Sequence, residues 1–360
     1  MPDLNSRINK VQHLLEQYDV DIFIVDDPLD IFYLTGLELS VGHLLVSTEV
    51  VQLFVDGRYL EYVKTQSVVD TKDILNEQRA SEFILDCGIS NPKVGFNQSF
   101  TTYVNFEKYK GYFARLIPLE NFVGQIRLIK EADEIVLLKK AQALNERGYD
   151  YVLSILKRGC TEKDIAKQLQ IFWLDQGADS LAFDSIIAFG ENTSLPHHHP
   201  TDKKLEANQP VLIDIGVILN NYHSDMTRVV FTGQPSDKML EVYDVVKRAQ
   251  LAAMVLCKPG TPIAHLDRAA RQVIIDAGLG DYFNHSLGHG IGLQTHEAPF
   301  LRDNKYTESQ VLKAGMVLTL EPGVYLPNIG GVRIEDIIHV NDDGYELFNT
   351  RSKELMQISL

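Results

Sequence analysis

The chain has 360 residues, 45% hydrophobic and 23% charged, an ordinary globular composition that can bury a core without disulfides. Its formal net charge of −15 excludes the basic face that non-specific binding to nucleic acid or to an anionic membrane requires. At roughly 150 residues per domain, this length predicts two domains.

The N-terminal stretch MPDLNSRINKVQHLLEQYDVD is polar and amphipathic, without the apolar core of a signal peptide. No run of about 18 apolar residues offers a membrane span. Cys87, Cys160 and Cys257 are far apart and form no CxxC pair, so they read as free thiols in a reducing compartment. The expectation is a cytoplasmic protein. Ile8, Val11, Leu14 and Leu15 mark one face of a helix over 5–17. Strands follow at 21–25 and 50–55, the second ending at the Asp56-Gly57 turn. Helix and strand alternate through 1–125, which predicts a smaller mixed α/β domain.

Near residue 125 the pattern changes. Residues 131–159 form one long helical pattern, acidic in its first turn, with Lys157 and Arg158 in its last, and stopped by Gly159. Thr161 is placed to cap the next helix. Helices at 236–257 and 262–277 then interrupt strands at 185–189, 210–218, 225–233, 316–321 and 332–340. Helix pairs and strand pairs in blocks predict an α+β domain with an antiparallel sheet over 126–360.

The segment VLIDIGVILNNYHSDMTRVVF, 211–231, has two strand-like runs around Asn220-Asn221, and Asn tolerates the positive φ of a tight hairpin turn. With those residues in the turn, Asp225 falls opposite Gly216, and Asp214 lies two residues away on the same face. The two carboxylates become diagonal neighbours, about 7–8 Å apart at the backbone. A lone buried salt bridge for each Asp is the competing reading. Two acids on one buried face repel, however, and burying an unpaired carboxylate is costly.

Further along, His289 lies between Gly288 and Gly290, where the backbone can crowd a ligand, and His296 follows seven residues later. Glu321 ends a strand before Pro322-Gly323, and Glu335 stands inside GGVRIEDIIHV. Strand alternation puts Arg333, Glu335 and Ile337 on one face, and a plain Arg333–Glu335 ion pair is the simple alternative. Four carboxylates and one imidazole in apolar surroundings, with no thiol, favour hard or borderline divalent ions. Four negative charges balance two such ions.

The ordered set D-x10-D, GHGIG, LEPG and GVRIED resembles the metal-dependent pita-bread peptidases, above all the Xaa-Pro peptidases: aminopeptidase P and prolidase. Residues 26–36 and 53–62 resemble that family's N-terminal domain, and 189–216 the approach to its first metal ligand. The resemblance implies five metal ligands, Asp214, Asp225, His289, Glu321 and Glu335, with Asp225 and Glu335 bridging two ions. Mn²⁺ is the first expectation, with Co²⁺ or Zn²⁺ as alternatives. It further implies Glu321 as proton shuttle, and His296 as the group that binds substrate and steadies the tetrahedral intermediate. His197 stands near the scissile bond, and Arg333 links the site's acids and the substrate. His198 and His199 read as surface residues of a loop.

The implied reaction is attack by a metal-bridged hydroxide on the carbonyl before proline in small peptides with proline second. Homodimerisation is the family's habit. Some prolidases carry an Arg soon after the His-Glu-Ala-Pro segment, whereas this chain has Phe300 there and Arg302 two residues on. That departure favours an Xaa-Pro aminopeptidase, with a dipeptidase as the alternative. A non-catalytic peptide-binding protein on the same fold is the alternative from a different class, and the filled ligand positions weigh against it.

Overall fold

The structure, a computed structural model, describes residues 3–360 and every side chain among them but that of Tyr306. The chain divides into two compact units, 1–127 and 128–360.

In the first unit, Asp3 caps the helix Leu4–Gln17 by accepting from Ser6 N at 3.0 Å. Ile8, Val11 and Leu15 form its buried face. Six strands make one mixed sheet: β1 Ile22–Val25, β2 His43–Ser47, β3 Val51–Phe54, β4 Asp70–Lys72, β5 Lys93–Asn97 and β6 Arg115–Leu119. Their order is β4-β3-β2-β1-β5-β6, with β1 antiparallel to β2 and parallel to β5. All four residues of β1 are buried, which explains its unbroken apolar run.

The second unit continues with β7 Ser180–Leu181, β8 Ile186–Phe189, β9 Pro210–Ile215, β10 Val217–Leu219, β11 Tyr222–His223 and β12 Met226–Phe231. After two helices come β13 Gly288–Gly290, β14 Glu297–Leu301, β15 Val317–Leu320, β16 Gly323–Leu326, β17 Gly330–Arg333, β18 Asp336–Val340, β19 Tyr345–Leu347 and β20 Met356–Gln357. Two sheets dominate, β20-β12-β9-β8 and β14-β13-β15-β18-β19. The helices Ala132–Ile155 and Glu162–Asp175 send Leu144, Val152, Ile165 and Trp173 into the core of the first sheet, with Ile187, Ile213 and Val230. The helices Asp237–Met254 and Ile263–Asp276 do the same for the second, through Val242, Val246 and Leu266 against Leu318, Leu320 and Ile338. Among the described residues, no helix is long and apolar enough to cross a membrane.

Two local features position the acids. Asn220 and Asn221 have φ of 51° and 67°, the left-handed pair of a tight hairpin turn. The register they set, Leu219↔Tyr222, runs on unchanged to Thr227↔Asp214 and Phe231↔Pro210. A Cβ on Gly216 would meet Ser224 O at 2.4 Å and the Phe183 ring at 2.5 Å, so no larger residue fits between the two aspartates. The second feature departs from the sequence expectation. Residues 332–340 are not one strand: β17 pairs with β16, while β18 pairs with β15 and β19. Between them Ile334 N donates to Pro322 O at 3.4 Å and Glu335 N to Thr227 O at 3.1 Å. The chain changes sheets at Glu335, where the adjacent acids Glu335 and Asp336 interrupt the apolar run.

Candidate metal centre

Five strand termini or strand centres converge on one cavity of about 490 Å³. Asp214 comes from β9, Asp225 from the residue before β12, and His289 from the middle of β13. Glu321 follows β15, and Glu335 sits at the crossing between β17 and β18. The cavity is also lined by His197, His199, His296, Arg333, Phe183 and Phe300.

Single ligand atoms of Asp225, His289 and Glu335 lie within 4.8 Å of one another, and all three residues are buried. His289 Nε2 is 3.4 Å from Glu321 Oε1 and 3.9 Å from Asp225 Oδ2. Its Nδ1 is 3.0 Å from Gly290 O, a contact that requires the proton on Nδ1 and leaves the Nε2 lone pair facing the acids. Burial, then the neighbouring His296, pushes the His289 imidazole down to about 4, so it is neutral.

The acids are strained electrostatically. Burial, and then repulsion from Glu335, Asp214 and Glu321, holds Asp225 well above the usual carboxylate range. Glu321 is raised in the same way, by burial and then by Glu335. Glu335 is pushed up to about 8, by burial first and Asp214 next. Asp214 turns one oxygen to Arg333, while its Oδ1 is buried with no partner among the described residues. An orphaned carboxylate oxygen, mutually repelling acids and a neutral imidazole are the donor set of a divalent-cation site. The residues present therefore fit hard or borderline divalent ions.

Around this cluster a set of donors fixes orientation. Thr227 Oγ1 donates to Glu335 Oε2 at 2.7 Å and accepts from Arg333 Nε at 3.2 Å. Arg333 Nη1 donates to the Tyr325 hydroxyl at 2.7 Å, and that hydroxyl is 2.8 Å from His285 Nε2. His285 Nδ1 is 2.8 Å from Ser286 O, so its Nε2 accepts from Tyr325. Arg333 thus holds Asp214 directly and Glu335 through Thr227. Thr227, Tyr325 and His285 escape the sequence reading. Thr227 carried a signal, being a polar residue directly opposite Asp214 in the hairpin register. Tyr325 belongs to a strand the sequence did not announce.

His197 and His199 are exposed at the cavity wall, and the His296 ring lies 4.3 Å from that of His289. His198 does not match its surface assignment. It is only 7% exposed, and its Nε2 lies 2.8 Å from Glu162 Oε2. The reason is Glu162, a buried carboxylate that needs donors, and the loop turns His198 inward to supply one. Phe300 lies at the cavity wall, half exposed.

With this geometry in view, comparison with known proteins identifies the chain. Residues 136–342 match the model of metallopeptidase family M24, and residues 7–129 that of the creatinase/prolidase N-terminal domain. The chain belongs to family M24. It is a pita-bread member of the Xaa-Pro metallopeptidase group, and the α+β architecture above is that fold with its creatinase-type N-terminal unit. An Xaa-Pro dipeptidase of Pyrococcus horikoshii is 33% identical, over 99% of this chain and 100% of that one. The solved Xaa-Pro dipeptidase of Bacillus anthracis is 34% identical, with a TM-score of 0.93 over 99% of this chain and 100% of that one. The solved X-Pro aminopeptidase of Thermotoga maritima is 30% identical, with a TM-score of 0.86 over 97% and 100%. M24 members use divalent metals, in keeping with the buried Asp225, His289 and Glu335 group.

Proposed function

We propose that this M24 member is a two-metal Xaa-Pro dipeptidase. The observation that carries the reading is the convergence of four acids around neutral His289 at one cavity. Asp214, Asp225, His289, Glu321 and Glu335 hold the ions, with Mn²⁺ the first choice. The relatives favour dipeptidase over the aminopeptidase to which Phe300 pointed, because the dipeptidases of P. horikoshii and B. anthracis, at 33% and 34% identity, are more similar to this chain than the X-Pro aminopeptidase of T. maritima at 30%. Phe300 remains the specific observation in favour of the aminopeptidase.

When bound, the ions supply Lewis acidity for the scissile carbonyl and lower the proton affinity of a water. Glu321 takes that water's proton and delivers it to the prolyl nitrogen, which leaves only once protonated. His296 donates a hydrogen bond to the carbonyl oxygen as charge develops there. His197 lies on the same wall and contacts the peptide beside the scissile bond. Arg333 keeps Asp214 and Glu335 in place. A cavity of about 490 Å³ suits a short peptide. All five ligands lie in the 126–360 domain, so the chemistry is assigned there and not to 1–125. A cytoplasmic homodimer completes the proposal.

The test compares an Xaa-Pro dipeptide with an Xaa-Pro-Xaa tripeptide, using the Mn²⁺-loaded protein. Faster cleavage of the dipeptide is expected. Preference for the tripeptide restores the aminopeptidase, and a folded, Mn²⁺-loaded protein inactive on both is a peptide-binding protein instead.

A further inference from the structure

Glu321 and Glu335 stand where a β-ladder stops. Leu320↔Asp336 is the last pair between β15 and β18, and the two glutamates are the next residue on each strand. Beyond that point Pro322 has no N–H to offer, so the ladder is interrupted at the glutamates before pairing resumes in the same register at Gly323↔Arg333. Within that gap Glu321 N donates to Leu287 O at 2.8 Å and Glu335 N to Thr227 O at 3.1 Å rather than across the ladder, so bonds from neighbouring elements hold the two acid-bearing segments.

The helix Asp237–Met254 packs Val242, Val246, Ala249 and Ala253 into the core. Gln250 shares this buried environment and is fully buried. An amide in such a place is costly unless bonded. Its Nε2 lies 3.0 Å from Leu320 O, 3.1 Å from Ile334 O and 3.2 Å from Asp336 Oδ2. Those acceptors belong to the residue before Glu321, the residue before Glu335 and the residue after Glu335. One amide therefore ties together both acid-bearing segments. Asp336 is itself fixed by Arg228 Nη2 at 2.6 Å and Lys353 Nζ at 2.9 Å, and Arg228 Nη1 donates to Glu335 O at 2.6 Å. Alternation puts Thr227 and Glu335 toward the cavity, with Arg228 and Asp336 behind.

We infer that Gln250 is a positioning residue of the ion site: its amide sets the separation of Glu321 and Glu335, and through it the affinity for divalent ions. The inference rests on the two-metal reading above. Outer partners of metal ligands typically change affinity by about 10–100-fold when removed.

The experiment measures Mn²⁺ binding by calorimetry on the full chain and on Gln250→Met, which keeps the length and removes the donors. The variant is expected to bind Mn²⁺ about tenfold or more weakly. At saturating Mn²⁺, its kcat falls while KM for the peptide stays close to that of the parent. Val246→Ala, equally buried on the same helix, is expected to lower the melting temperature and leave Mn²⁺ affinity intact. Parental affinity in folded Gln250→Met overturns the inference, and so does an equal loss in Val246→Ala. Should Gln250→Met fail to fold, Gln250→Asn carries the test, with weakened affinity supporting the inference and parental affinity overturning it. A parent chain that takes up no Mn²⁺ defeats the metal reading itself, a result distinct from either of these.

Discussion

Two groups of buried carboxylate stand in the same unit and behave in opposite ways. Glu162 is fully buried and fully supplied. One oxygen accepts from Phe189 N at 2.8 Å and Asn192 Nδ2 at 2.9 Å. The other accepts from Thr201 N at 2.8 Å and Thr201 Oγ1 at 2.6 Å, and lies 2.8 Å from His198 Nε2. Burial pushes its pKa up, but these donors outweigh it and bring it below the usual value. Asp225 and Glu335 are buried, with Glu321 half-buried beside them; they have few donors and are all raised. Burial raises every one of these acids; at Glu162 the donors reverse the shift, and in the cluster mutual repulsion adds to it. A supplied acid holds a loop in place. An undersupplied cluster is completed by cations from outside the chain.

The largest expected effect breaks that cluster. Chelation is expected to lower peptide cleavage by more than about 10³-fold, since the ions carry several kcal/mol of transition-state stabilisation. Re-addition of Mn²⁺ restores it. The same stripped protein has a diagnostic pH dependence. Glu335 goes from about 8 in the folded chain to the ordinary 4.5 when unfolded. The folded state therefore binds the extra proton, so its stabilising contribution is complete below about 4.5 and is lost as pH rises to about 8. Ion binding requires the deprotonated acids and strengthens in that same window. The gap in melting temperature between loaded and stripped protein should widen from pH 5.5 to pH 8, with ions at about 100 times Kd contributing about 2.7 kcal/mol. A gap independent of pH would contradict the raised proton affinity of the cluster's acids.

The comparison also marks what the sequence made legible. Asn220-Asn221 determines a register that places Asp214 opposite Thr227 and Asp225 opposite Gly216, because side-chain alternation in a hairpin is fixed once the turn is known. His289 and the acids at 321 and 335 stood out as polar residues in apolar strands. The sheet change at Glu335 was missed because 332–340 is rich in apolar residues throughout, although the adjacent acids Glu335 and Asp336 break its alternation at that point. His198 was hidden because its partner, Glu162, lies 36 residues away on a helix whose periodicity shows only an acidic first turn. Gln250 was hidden for the same reason: its acceptors are backbone carbonyls 70 and 84 residues distant and a carboxylate 86 residues away. Local pattern reports which face a residue occupies. It does not report which distant group meets it there.

A middle-sized effect sharpens the contrast from the supplied side. Glu162→Ala leaves buried donors from Phe189, Asn192, His198 and Thr201 without their acceptor, and is expected to cost about 3 kcal/mol in urea unfolding. Mn²⁺ affinity by calorimetry should stay near the parent's, because none of those donors touches a proposed ligand. A large drop in ion affinity would mean that the two acid groups are not independent.

The smallest effect lies at the border of the undersupplied cluster. The Tyr325 hydroxyl, pushed up to about 12 chiefly by burial, stays protonated throughout the working range. It accepts from Arg333 Nη1 and donates to His285 Nε2. Tyr325→Phe removes that link and leaves Arg333 its contacts with Asp214, with Thr227 and, at 3.4 Å, with Pro196 O. A hydrogen bond to a charged group is worth about 1.5–3 kcal/mol, but the surviving contacts keep the guanidinium in place. The lower end applies, a fall in kcat/KM of about tenfold. Ion affinity should be nearly untouched, because Asp214 and Thr227 keep their bonds to Arg333. If Mn²⁺ affinity instead falls as far as kcat/KM, Tyr325 belongs with the groups that build the ion site, and the orientation of Arg333 is not what limits turnover.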